Sequence, residues 1–184
     1  MGEQTWFYRN AQEWEAMAER LKQTPCPYCK IFGTLIQHGF LYGFDDSSPP
    51  RKTMRARRIF CSNRNARRGC GRTFSVWMAD KIRRLSLTTA ALGRFLQRAV
   101  VDGILAAIRT SDYHRSDRTW LRVWKRFRLA QSPIRTALAG CCPPPALSAE
   151  HPPAAQVLAH LHAAFPDAPC PIAAFQHAMR TFFV

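Results

Sequence analysis

Two cysteine pairs constrain this chain more than any other feature. The first is Cys26-Pro27-Tyr28-Cys29; the second is Cys61 and Cys70, with Gly71-Arg72-Thr73-Phe74 directly behind it. A two-residue spacer lets a tight knuckle aim two sulfurs at one point, and a tetrahedral zinc ion takes four such thiolates. Eight residues separate Cys61 from Cys70, so the loop Ser62 to Gly69 has to bulge outward. Gly71 supplies the permissive backbone that turns the chain back, and Phe74 returns beneath the site. The pattern predicts a small β zinc ribbon over 24–80, with one structural Zn2+ on Cys26, Cys29, Cys61 and Cys70. A catalytic zinc would need an open coordination position and a nearby base. The sequence offers neither, and the expectation is a protein that is not an enzyme.

The remaining thiols, Cys141, Cys142 and Cys170, lack partners at ligand spacing and read as small buried hydrophobes. His38 is the substitute ligand if a cysteine fails, but a lone histidine in a strand pattern reads as a surface residue. No run reaches the roughly 18 apolar residues that span a bilayer. The N-terminus, with Glu3, Arg9 and Glu13, lacks a signal-peptide pattern. The expected location is therefore the cytoplasm, nucleoid-associated and away from membranes, where thiols stay reduced and metal ligation is favoured over disulfides.

Formal net charge is +15, from 27 Lys and Arg against 12 Asp and Glu. The excess is concentrated, since Arg51 to Arg72 holds nine basic residues and no acid. Such a surface expects a polyanion. Arginine outnumbers lysine there, and its planar fork suits phosphate oxygens and guanine edges.

Along the chain, Trp6, Phe7, Ala11, Trp14, Met17, Ala18 and Leu21 recur at three- and four-residue steps, which predicts one amphipathic helix over 1–23 that Pro25 ends. Thr34 to Phe44 reads as a strand or hairpin, Ala56 to Cys61 as a returning strand, and Asp45 to Pro50 as an exposed turn between them. A tri-helical unit over 86–130 follows. Its first helix is capped by Thr88 or Thr89, Gly103 breaks it, Ile104 to Thr110 forms the second, and Ser116 caps a third reaching about Leu129. Past it, residues 131–184 form an alanine-rich tail. Beyond the break Cys141-Cys-Pro-Pro-Pro145, this tail carries helices near Ala154 to Phe165 and Ile172 to Phe183. Its apolar side chains, among them Val157, Leu161, Phe175, Phe182 and Phe183, must pack on the body or on a second copy in a homodimer. The fold class is thus α+β, mostly helical.

The third helix of that unit is two-sided. Trp120, Val123, Trp124 and Phe127 fall on one face, and Arg118, Arg122, Lys125 and Arg126 on another. Preceded by a helix and a turn through Thr110 to Arg115, this is what a recognition helix needs: one face locked to its neighbours, the other free to enter a major groove. Arg118 and Arg122 are candidates for base edges. Arg64, Arg67 and Arg68 of the ribbon loop, with Lys125 and Arg126, are candidates for phosphates.

The residues Cys26-Pro-Tyr-Cys29, Arg58-Ile-Phe-Cys61 and Cys70-Gly-Arg-Thr-Phe74, followed by a helix-turn-helix, resemble the zinc-ribbon plus helix-turn-helix proteins of bacterial insertion sequences. The resemblance covers roughly Thr24 to Arg128. It implies binding of transposon ends or of the element's promoter, as part of a transposase or as a separate regulator. A shorter similarity links the ribbon to zinc-finger activators of phage late transcription.

A ribonuclease-H type core would need three spaced acids on a mixed sheet, and after Asp117 only Glu150 and Asp167 are acidic. The leading expectation is therefore a duplex-DNA-binding protein of a bacterial mobile element, a regulator or an end-binding accessory to a separate recombinase. An adaptor docked on a larger nucleic-acid machine, with the tail recruiting a protein partner, is the second. RNA binding through Tyr28, Phe40 and Tyr42 is the third.

Overall fold

The computed structural model describes residues 5–64, 68–111, 116–146 and 151–184. Its first element departs from the sequence expectation. Trp6–Tyr8 is a strand, β1, and only Ala11–Glu19 is helical, α1. The helix starts late because the Asn10 side chain accepts the Glu13 N–H at 2.9 Å and fixes its first turn. Past α1 the chain tightens into a single 3-10 turn, Leu21–Gln23, instead of running on to Pro25. The long strands are β2 (Leu35–Phe44), β3 (Lys52–Cys61) and β4 (Thr73–Met78). They form one sheet in the order β1-β4-β3-β2, antiparallel except that β1 runs parallel to β4.

The sheet packs on both faces. Trp14 and Leu21 cover one, meeting Tyr8, Leu35, Ile59, Val76 and the sulfur-bearing Cys26 and Cys61. On the other face, Phe7, Ala56, Trp77 and Ala79 meet Ala173 and Phe182 from the far end of the chain. The hairpin tip is held by Asp45, which accepts the N–H groups of Ser47 and Arg51. The Ser47 hydroxyl, also bonded to that carboxylate, and these N–H groups hold its pKa down at about 2. Neighbouring Asp46 accepts both the N–H and the hydroxyl of Thr88, so the tip fastens the residue that caps the next helix.

Five helices follow: α2 (Thr89–Val101), α3 (Ile104–Arg109), α4 (Asp117–Ala139), α5 (Pro153–Ala164) and α6 (Pro171–Met179). Thr88 caps α2 through its hydroxyl, which accepts the Ala91 N–H. The third expected helix does not stop near Leu129. It runs through the exposed Pro133 to Ala139, because Ile134 and Leu138 continue its buried face and outweigh the missing N–H. The boundary read at 130/131 therefore falls inside α4. Residues 131–184 add to the same core as α2–α4, with Val157, Leu161, Phe175 and Phe183 packed among Phe95, Trp120 and Phe127. The apolar faces of the tail are thus covered within the chain. None of its described helices is long and apolar enough to cross a membrane.

Three polar groups, the first two buried and the third half-buried, tie distant segments together. Arg55, 7% exposed, donates to the carbonyls of Phe44, Ile82 and Leu85. Gln176 donates to the carbonyls of Ala79 and Lys81 and accepts the Phe183 N–H. The Glu13 carboxylate meets His177 Nε2 at 2.5 Å and is also held by Arg9.

Candidate metal centre and nucleic-acid interface

The first cysteine pair sits on a knuckle between the 3-10 turn and β2. There the Cys26 N–H donates to the Ile31 carbonyl, the Lys30 N–H to the Cys26 carbonyl and the Tyr28 N–H to Cys26 Sγ. Lys30 adopts a φ of 62° to close it. Cys61 is the last residue of β3, and its carbonyl accepts the Gly71 N–H at 3.0 Å. Gly71 has the predicted positive φ, 72°. Gly69 is required for a different reason: a β-carbon there would run into the Ser62 carbonyl and lie 2.8 Å from Cys61 Sγ.

The four sulfurs of Cys26, Cys29, Cys61 and Cys70 lie within 4.8 Å of one another. Cys26 Sγ is 3.8 Å from Cys70 Sγ, and Cys29 Sγ is 3.7 Å from Cys61 Sγ. A tetrahedral zinc with Zn–S of about 2.3 Å places its sulfurs about 3.8 Å apart. The donor set therefore fits one metal ion with every ligand position filled by protein. Cys26 and Cys61 are buried, Cys29 is half-buried and Cys70 is exposed.

Without a cation the site is electrostatically uneven. Burial pushes the Cys26 thiol up to about 12. Burial acts on Cys61 in the same direction, yet hydrogen bonds from the Thr34 hydroxyl and the Cys70 N–H outweigh it and bring the thiol down to about 7. A bound divalent cation would favour all four thiolates together. His38 is outside this group, exposed on β2 with its ring 5.3 Å from that of Phe60.

The other thiols are less buried than their sequence context predicted. Cys141 is exposed, because α4 extends almost to it and ends in open solvent. Cys142 and Cys170 are half-buried, and Cys170 donates to Thr89 Oγ1 at 3.3 Å.

On α4 the split read from periodicity holds for most positions. Trp120, Val123 and Phe127 are buried, with Trp120 stacked on Phe95 at 4.3 Å. Arg118, Arg122 and Lys125 are exposed, and none is in an ion pair among the described residues. Arg126 is half-buried, since its helical position turns it toward the flank of the packed face. Arg128 and Arg135 join the exposed side; ending the helix near Leu129 had hidden the second of them. Asp117 sits favourably in the first turn.

In the ribbon loop, Arg64 and Arg68 are exposed, with the Arg64 guanidinium 5.7 Å from the Phe60 ring centre. Arg67 lies outside the described residues, as do 112–115 of the expected turn before α4. Arg55 was counted among the surface charges but is a buried clamp; burial pulls its pKa below the usual arginine value, against the pull of Asp80 and Asp46. Gly43 is the local signal for it, since a β-carbon there would stand 2.5 Å from Arg55 Cδ.

The arrangement thus provides four thiols that could cage a metal ion at one end of the sheet, and a helix that anchors by aromatics and presents cations with no ion pair among the described residues. Comparison with protein-family models, with curated proteins and with solved structures finds no match for this chain.

Proposed function

We propose that the chain is a zinc-stabilised, non-catalytic protein that binds duplex DNA. The observation that carries this reading is the two-sided α4. Its rings are locked in the core while Arg118, Arg122, Lys125 and Arg128 face solvent without acidic partners among the described residues. In the proposed complex Arg118 and Arg122 read base edges. Lys125 and Arg128, with Arg64 and Arg68 of the metal-supported loop, hold phosphates. The four-thiolate site takes one structural Zn2+ and sets the loop on a rigid base. The resemblance of the cysteine segments, followed by a helical unit, to insertion-sequence proteins supports placing this activity in a bacterial mobile element, as regulator or as end-binding accessory to a separate recombinase.

An adaptor role is favoured by a different observation: Leu121 and Leu129 are exposed beside the cations of α4, which suits a protein partner better than a groove. Selection on a random duplex library separates the two. Zinc-loaded protein is run beside a Cys26→Ser/Cys29→Ser variant. A motif bound about 10³-fold or more above other duplexes, and lost in the variant, supports the duplex reading. Uniform weak binding by a folded, zinc-loaded chain overturns it in favour of the adaptor.

A further inference from the structure

The hairpin carries a surface that duplex binding by α4 does not use. β2 is the edge strand of the sheet, and two of its rings, Phe40 and Tyr42, are 46% and 52% exposed. An exposed apolar edge strand is a liability that proteins ordinarily blunt. Here the rings are organised instead. The Arg57 guanidinium lies 4.5 Å from the Trp14 ring centre and 5.3 Å from that of Phe40, a three-layer stack rooted in the core by the 3%-exposed Trp14. The Lys52 ammonium lies 5.5 Å from the centre of the Tyr42 ring. The two rings are 6.0 Å apart with planes inclined at 56°. Neither β2 nor β3 contains an acidic residue, whereas β3 contributes Lys52, Arg57 and Arg58 in addition to the buried Arg55.

We propose that Phe40 and Tyr42 form a stacking platform for the unpaired bases of a single-stranded nucleic acid, with Lys52 beside them for its phosphates. Three features select this occupant. Cations layered against ring faces favour an electron-rich, anionic partner over an apolar peptide. Base stacking on such rings is tolerant of sequence because every base has a π-face. Neighbouring bases on one strand of a duplex are about 3.4 Å apart and parallel, so two rings 6.0 Å apart and steeply inclined fit only bases that have left the stack. Tyr28, grouped with these rings in the sequence, is elsewhere, edge-on to Phe74 at 6.2 Å with Arg72 beside it.

The test uses full-length zinc-loaded protein and fluorescence anisotropy with labelled oligo(dT) and oligo(rU), each of about 15 nucleotides, beside a duplex. Phe40→Leu/Tyr42→Leu keeps the apolar bulk but removes the π-faces. It is expected to lose about tenfold or more in single-strand affinity with duplex affinity unchanged. Phe40→Trp is expected to retain single-strand binding, and zinc content with thermal melting confirms that each variant is folded. Ring-dependent binding of either oligonucleotide supports the platform, and the stronger of the two identifies the preferred sugar. Single-strand affinity unaffected by the leucine pair, equal loss on duplex and single strand, or no single-strand binding by the unaltered protein would overturn it. Failure of the α4 reading shows separately, as absent duplex binding with the ring-dependent signal intact.

Discussion

Replacing Lys125 and Arg128 by alanine removes two exposed cations from α4 while leaving Trp120, Val123 and Phe127 in place. Alanine is the best helix former, so the helix itself is not weakened. Each phosphate neutralised on B-DNA contributes about 0.9 to the slope of log affinity against log salt. With Arg64, Arg68, Lys125 and Arg128 on phosphates, the slope should be about −3.6, a loss of about 150-fold in affinity between about 50 and 200 mM salt. The double variant should bind more weakly at low salt and show a slope near −1.8, a loss of only about twelvefold over the same range. Fluorescence anisotropy on one fixed duplex at four or more salt concentrations measures both slopes. If the variant keeps the unaltered slope, α4 does not face the DNA backbone, and the assignment of this helix as the contact surface fails.

Arg55→Met should lower stability by about 2–4 kcal/mol, because the carbonyls of Phe44, Ile82 and Leu85 lose a charged donor in a buried setting. Urea unfolding measures it, and a cost near zero would show that water replaces the guanidinium. The acid side should report on Glu13. Burial alone would raise its pKa, but the bonds from Arg9 and His177 outweigh this and hold it below the ordinary glutamate value. A depressed carboxylate contributes stability above its unfolded pKa and loses it as pH falls through the folded value. Between about pH 6 and pH 3 the unaltered chain should therefore lose more stability than Glu13→Gln, and equal losses would contradict the pairing. If the thiols hold the proposed Zn2+, chelator treatment of zinc-loaded protein should red-shift the fluorescence of Trp6 and Trp14, which share a cluster with Cys26 and Cys61. Most of the far-UV helical signal should persist, since α2–α6 pack around a separate core; a concerted loss of both signals would show one cooperative unit instead.

Local signals were readable where physics acts over a few residues. The spacing of Cys26 and Cys29 and the glycine after Cys70 foretold the knuckle and the turn, because both answer to short-range backbone geometry. The Thr88-Thr89 pair announced the start of α2 for the same reason, and Thr88 is the one that caps it. Features that depend on distant partners were not readable. Trp6–Tyr8 fits a helical pattern as well as a strand, and only its pairing with Val76–Met78 decides the matter. Arg55 looks in sequence like its strand neighbours Arg57 and Arg58 until the carbonyls of Ile82 and Leu85 reach it. Pro133 suggests a helix end, yet the core contacts of Ile134 and Leu138 carry α4 past it. The pairing of Phe40 with Tyr42 is local, since alternate residues of one strand share a face, whereas the separate placement of Tyr28 beside Phe74 depends on a distant partner.

The seam between β1 and α6 joins residues from opposite ends of the chain. Glu13 and His177 are 164 positions apart, the Thr5 N–H reaches the Arg180 carbonyl, and Phe182 lies edge-on to Phe7 and to Trp77. Closing a loop costs only about 0.6 kcal/mol per doubling of its length, so the seam is affordable at equilibrium, but contacts of such separation form slowly. The β2–β3 hairpin and the α2–α3 pair can assemble early, whereas β1 has to wait for α6 before its outer face is covered. A fragment cut at the proline-rich break would keep both the thiolate cage and α4 yet leave Phe7 and Trp77 bare. Such a fragment is the wrong reagent for binding studies, because its exposed sheet face would drive self-association before any nucleic acid was added.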